Sequence, residues 1–203
     1  MRQVREIATL SLVGGSACLD LANTISSRIA PEHDYLASYA DVLAWSQRAI
    51  GLAPRECHAL TARADRDPKG AAAAWRATVA LREAVYRTFA GLAHEREPAA
   101  GALETVIDAY ADALVRARWE RTVDAVVPSW DVTADLRGPL WPIAHQAGML
   151  VTSADVADVK ECPGCGWLFL DVSRNRSRRW CDMATCGSRD KMRRYHWRRR
   201  VDS

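Results

Sequence analysis

The 203-residue sequence has no apolar stretch near the roughly 18 residues that a membrane-spanning helix needs. Its N-terminal apolar run, residues 7 to 13, is only about seven residues long, at the lower limit for a secretory signal. Thr9 and Ser11 break that run and Glu6 precedes it, so Gly15-Ser16-Ala17-Cys18 is not read as a lipoprotein cleavage site. There is no Gly-rich phosphate loop, no HExxH helix and no nucleophile elbow. Nor is there an internal repeat, or a low-complexity segment beyond a basic tail. The expectation is a soluble cytoplasmic protein that is not an enzyme. A rival enzyme or redox switch would have to use Asp20, His145 or the cysteine pairs, and a lone histidine among apolar residues is more often structural.

Acidic residues are scarce in one part of the chain. Residues 160 to 203 carry 12 Lys+Arg against 5 Asp+Glu, a net +7, whereas residues 1 to 159 carry 16 against 20, a net −4. The overall +3 hides that division, and only the tail should seek polyanions. Hydrophobic residues make up 49% and there are 8 tryptophans, enough for a core without disulfide staples. Of the 6 cysteines, Cys18 and Cys57 stand alone in apolar or helical context and suit a core. The other four form two close pairs, a pattern of metal binding.

Apolar spacing divides the chain into elements. Residues 7 to 13 alternate in part, include β-branched side chains and stop at Gly14-Gly15, which predicts an opening strand. A helix is expected from Tyr35 to Ile50 with Gly51 as its C-terminal cap, and a second from Pro54 that fades before Pro68. The longest helical candidate runs from Ala71 to His94. After Pro98, the residues Leu103, Val106, Ile107, Tyr110 and Leu114 predict another helix that pairs with it as a hairpin. Residues 118 to 130 read as a β-hairpin or two edge strands able to join the first strand. Helix returns over residues 139 to 151.

Cys162 and Cys165 are spaced Cys-x2-Cys; fifteen residues later come Cys181 and Cys186, spaced Cys-x4-Cys. Two thiolate pairs separated by a hairpin-sized loop can close a tetrahedron on one zinc ion, and four thiolates leave no open position, so the ion should be structural. Pro163, Gly164 and Gly166 suit the tight knuckle of the first pair. Trp167 to Val172 is strand-like, Arg178 to Trp180 can return to Cys181, and Cys186 opens a helix with Ser188 as candidate N-cap. Trp167, Phe169 and Trp180 are the expected small core, with Met192 and Tyr195 packing against the hairpin.

Around this centre lie Arg174, Arg176, Arg178, Arg179, Arg189, Lys191, Arg193, Arg194 and Arg198, followed by Arg199 and Arg200, with only Asp182 and Asp190 interrupting. That density, and the preference for arginine, point to nucleic-acid backbone rather than a solvated helix face. DNA is the expected partner and RNA the alternative.

Assembled, the tail resembles the CGNR zinc finger through Cys162-Pro-Gly-Cys165, the run Gly166 to Trp180, Cys181 and Cys186-Gly-Ser-Arg189. Ser188 stands where that signature has asparagine. The whole chain is similar to the bacterial ABATE-domain proteins, stress-induced transcription regulators, through Cys18-Leu-Asp20-Leu-Ala-Asn23-Thr24, Trp45 and Leu81-Arg82-Glu83. The resemblance implies an α+β fold: a mostly helical N-terminal domain with a small sheet over residues 1 to 155, then a treble-clef-like finger over residues 156 to 203. It implies a DNA-binding regulator holding one structural Zn2+. The N-terminal domain is the place to expect an effector or a homodimer contact, with Asp20, Asn23 and Arg82 as candidates for a buried polar network or an effector site.

Overall fold

Helix starts in this chain are set by local chemistry. The computed structural model describes residues 7 to 201, and for His196 and residues 198 to 201 the backbone only. Helix α1 (Ala17–Ala22) is buried on all sides. Helix α2 (Tyr39–Ala49) begins where the Ser38 hydroxyl accepts the Asp41 N–H at 3.3 Å, and ends before Gly51, whose φ of +68° only glycine adopts without strain. Helix α3 (Pro54–Arg66) starts on Pro54, with the Glu56 carboxylate reaching back to the Ala53 N–H. Helix α4 (Pro68–Ala93) follows at once, capped by Asp67, which accepts the Gly70 N–H at 2.8 Å.

Helix α4 is the axle of the fold. It packs on α1, α2 and α3, and also on α5 (Ala102–Arg116) and α6 (Leu140–Thr152). The core lies between these helices and includes Leu19, Leu21, Trp45, Leu60, Phe89 and Ile143, all fully buried. Each such side chain contributes on the order of 1.5–3 kcal/mol. Helix α5 is rotated somewhat from the face its apolar spacing predicts: Val106 is buried and Leu103, Tyr110 and Leu114 are half-buried, but Ala102 and Ala113 take the inmost places and Ile107 is exposed. Small residues let α5 approach α4 and α6 closely, and at Gly148 of α6 an added Cβ would strike the Tyr110 ring at 2.1 Å.

The opening strand is not formed. Residues 7 to 9 make a 3-10 turn, Leu10 N–H donates to the Ile7 carbonyl, and the buried residues of the segment are Ile7 and Leu10. That is turn spacing, and among the described residues the alternation in the sequence has no partner strand to serve. The predicted hairpin exists as β1 (Arg118–Arg121) and β2 (Val126–Ser129), but among the described residues it pairs only with itself. A second antiparallel pair joins β3 (Val159–Glu161) to β4 (Leu168–Leu170), so the strand after the first cysteine pair takes β3 as its partner, not residues 178 to 180.

The first cysteine pair is seated on the N-terminal helices by backbone chemistry. Asn23, at the end of α1, donates from Nδ2 to the Leu168 carbonyl at 2.8 Å and accepts the Leu168 N–H at 2.9 Å. Leu170 N–H donates to the Gly14 carbonyl, and Arg28 N–H to the Cys165 carbonyl at 2.7 Å. The Trp167 indole reaches the Ile25 carbonyl at 2.7 Å. Arg28 and Arg82 brace the intervening loop, pairing with Glu83 and with Asp34 and Glu83 respectively. Replacing Asn23 with Ala is expected to lower the stability of the zinc-loaded protein by about 2–3 kcal/mol, because two buried groups of Leu168 lose their partner. Asn23→Asp should cost at least as much, since it turns an oxygen toward a carbonyl; denaturant unfolding measures both.

Candidate metal centre and nucleic-acid interface

The knuckle that aims the first two sulfurs is a backbone construction. Gly166 N–H donates to the Cys162 carbonyl at 2.8 Å and Cys162 N–H to the Trp167 carbonyl at 2.8 Å. Gly166 sits at φ +74°, and a Cβ there would meet that of Arg28 at 2.7 Å, so the predicted role of glycine holds at this position. Cys181 follows the buried Trp180, and Cys186 lies in a π-helical turn (Met183–Gly187) that runs into α7 (Ser188–Val201). The cap of this unit is Asp182, which accepts the Ala184 N–H at 2.7 Å. Ser188 is already helical and its hydroxyl donates to the Met183 carbonyl, so the cap falls six residues earlier than predicted.

All four sulfurs lie within 4.8 Å of one another and every cysteine is buried. Cys165 and Cys181 are 3.5 Å apart and Cys181 and Cys186 3.8 Å. Zn–S bonds of about 2.3 Å in a tetrahedron require sulfurs about 3.8 Å apart, so this donor set fits one zinc ion. Hydrogen bonds among the clustered thiols lower the pKa of the Cys162 thiol and raise those of Cys165 and Cys181, so the sulfurs do not all ionise by themselves and metal ligation is what deprotonates the set. Phe169 and Trp180 close the centre from below, with Trp167 partly buried beside them.

Asp171 is a structural residue that spacing did not reveal. Its carboxylate is fully buried and accepts from Lys160 Nζ at 2.6 Å, Ser173 Oγ at 2.6 Å and Arg178 N–H at 2.9 Å. Burial opposes its ionisation, but these donors together push its pKa well below the carboxylate range. It organises the loop carrying the first four arginines, which consequently differ in what they can do. The Arg178 guanidinium is turned inward, stacked over the Phe169 ring and donating to the Trp180 and Cys181 carbonyls. Arg176 pairs with Asp158 and donates to the Asp171 carbonyl. Arg174 is exposed, and Arg179 is exposed over the Trp180 ring.

On α7, Arg189, Lys191, Arg193 and Arg194 are exposed. Among the described side chains of this helix Asp190 is the buried one, and it holds Arg193 at 2.6 Å and Arg194 at 2.8 Å. The side chains of Arg198, Arg199 and Arg200 lie outside the described residues. Met192 and Tyr195 are 54% and 52% exposed, contrary to the expectation that they pack on the hairpin, because the Phe169–Trp180 core is already closed by Cys186 and Gly187 at the start of the helix.

The three polar residues Asp20, Asn23 and Arg82 are buried, but no hydrogen bond among the described residues joins them to one another. Asp20 accepts the Gly14 N–H at 2.8 Å, Asn23 clamps Leu168, and Arg82 forks onto Asp34 at 2.7 and 2.8 Å. Burial raises the pKa of Asp20 to about 6, against the lowering effect of its backbone donors and of Arg48. His145 packs against the Tyr110 and Trp130 rings, and burial lowers its pKa.

Two expectations follow from this geometry. Removing zinc with a chelator, or by Cys181→Ser, should lower the melting temperature of the whole protein and not only unfold the tail, because Cys165 and Leu168 carry the contacts to residues 14 to 28; calorimetry with metal analysis tests this. Because the folded pKa of Asp20 exceeds the unfolded one, the folded state binds the extra proton. Its contribution to stability therefore grows as pH falls through about 6 and is complete below the unfolded value near 3.8. Wild type should gain roughly 1 kcal/mol relative to Asp20→Asn between pH 7.5 and pH 5.

Comparison with known proteins accords with the geometry. The family description "Putative stress-induced transcription regulator", ABATE, matches residues 15 to 154, and the CGNR zinc finger matches residues 159 to 199. No curated protein matches the chain. With the first description covering more than half the chain and the second spanning all four cysteines, the protein belongs to the ABATE family and carries a C-terminal CGNR zinc finger.

Proposed function

We propose that the protein is a cytoplasmic transcription regulator that binds duplex DNA through its zinc finger and has no catalytic activity. The observation that carries this reading is α7: a helix whose first turn is fixed to the metal centre while Arg189, Lys191, Arg193 and Arg194 stand exposed. With Met192, Tyr195 and Trp197 each more than half exposed, this helix gains little from apolar packing and gains most when a polyanion neutralises it. Arg174 and Arg179 extend the same charge along the hairpin loop. Arg178 and Arg176 are assigned to holding the loop, and Asp190 to aiming Arg193 and Arg194. Residues 156 to 203 are then the reading head and residues 1 to 155 the body that carries it. In that body Asp20, Asn23 and Arg82 serve as buried structural groups, since their hydrogen bonds are made to the protein itself. The zinc ion is structural, because four thiolates complete its tetrahedron.

Fluorescence anisotropy of the zinc-loaded protein with labelled duplex DNA and matched RNA, across a salt series, tests the reading. Affinity should fall steeply with salt and favour the duplex, and Arg189→Ala/Lys191→Ala should reduce the log–log slope by about two with the fold intact. Absence of binding at low salt would overturn the proposal, and preference for RNA would redirect it to an RNA-binding role.

A further inference from the structure

The β1–β2 hairpin is an unusual feature of this protein, since a two-stranded ribbon is at best marginally stable by itself in water. Its base is anchored, with the Trp130 indole donating to the Ala113 carbonyl at 2.8 Å. All four residues of β1 are exposed nevertheless, as are Val126 and Val127. Trp119 is 54% and Val126 61% exposed, and Val115, just before β1, is 86% exposed.

The ladder identifies which backbone groups are left over. Thr122 N–H donates to the Ala125 carbonyl, and the register pairs Glu120 with Val127 and Arg118 with Ser129. Counting back in steps of two, Thr122, Glu120 and Arg118 point their backbone groups toward β2. Trp119 and Arg121 therefore point theirs away, and among the described residues that outer edge of β1 is unpaired. The outer edge of β2 is different. Pro128 sits opposite Trp119, at an outward position, and has no N–H to offer. One edge is closed by proline and the other is open.

We infer that the open edge of β1 pairs antiparallel with the same edge of a second copy of this chain, with Trp119 opposite the second copy's Trp119. That register satisfies the backbone, because outward groups meet outward groups, and Trp119 exchanges both hydrogen bonds with its mate. It also satisfies the side chains. Arg118 falls opposite Glu120 of the other copy, twice by symmetry, in the closely spaced non-hydrogen-bonded pairs. The neighbouring registers of correct parity centre on Arg118, Glu120 or Arg121 and each sets two like charges face to face, so charge selects the register centred on Trp119. In the favoured register one face of the resulting four-stranded sheet carries an apolar row, Pro128, Trp119, Trp119 and Pro128, flanked by Val126 from each copy. The interface is self-complementary, as a two-fold dimer requires. It is also small and belongs with weak, transient contacts, for which a dissociation constant on the order of 10 μM is the working value.

Sedimentation of the full-length, zinc-loaded protein from about 1 to about 200 μM, bracketing that constant, tests the inference independently of any nucleic acid. The mass should rise from one chain to two. Arg118→Glu and Glu120→Arg should each weaken the dimer about tenfold, and the double exchange Arg118→Glu/Glu120→Arg should restore it. Both side chains are exposed, so melting temperatures check that the fold is unchanged. A monomer throughout, a dimer indifferent to the single reversals, or a double exchange that fails to restore association would each overturn the inference.

Discussion

The structure depends on one exchange of backbone hydrogen bonds, between residues 14 to 28 and residues 162 to 170. Asn23 supplies both halves of a peptide-like pair to Leu168, and Gly14 and Arg28 complete it at Leu170 and Cys165. Through these bonds the first cysteine pair gains a rigid seat on the helical core. A small finger normally takes nearly all its stability from its metal. Here the ion and the N-terminal helices hold the same few residues from opposite sides, so neither stabilises the finger alone.

From that seat outward, order declines in steps. Val159, Leu168, Phe169 and the four cysteines are buried; the loop of residues 173 to 180 is organised by the single carboxylate of Asp171; and on α7 Asp190 is buried, the only one among the described side chains of that helix. The cations divide by what they meet: Arg178 and Arg176 are engaged by internal acceptors, whereas Arg174, Arg179 and Arg189 are presented to solvent. The two uses of arginine are chemically alike, a planar fork meeting oxygen, and differ only in whose oxygen it meets.

Much of this was legible in the sequence. The cysteine spacing contains the metal centre, because thiolate pairs at those intervals have few other uses, and Pro54, Pro68 and Gly51 mark helix ends through their own backbone constraints. What escaped was decided by residues far apart in the chain. The alternation of residues 7 to 13 suggests a strand, but a strand needs a partner edge, and the candidate hairpin pairs with itself elsewhere. Spacing marked Ser188 as a cap, whereas the π turn placed that duty on Asp182. No local pattern separates Arg178 from Arg179, since only the tertiary position of Phe169 and of the Cys181 carbonyl turns one of them inward. Asp171 was invisible for the same reason: its value lies in Lys160 and Arg178 arriving from either side.

The separation of 145 positions from Asn23 to Leu168 also has a consequence in time. Contacts this remote in sequence close late, after most of the loop-closure entropy has been lost. During synthesis at about 5–20 residues per second, the helices can gather around α4 while the seat beside Asn23 stands open for several seconds, its amide facing water. The finger, residues 159 to 199, fills that seat last, and metal loading becomes the event that separates a chain whose seat is filled from one whose seat still stands open.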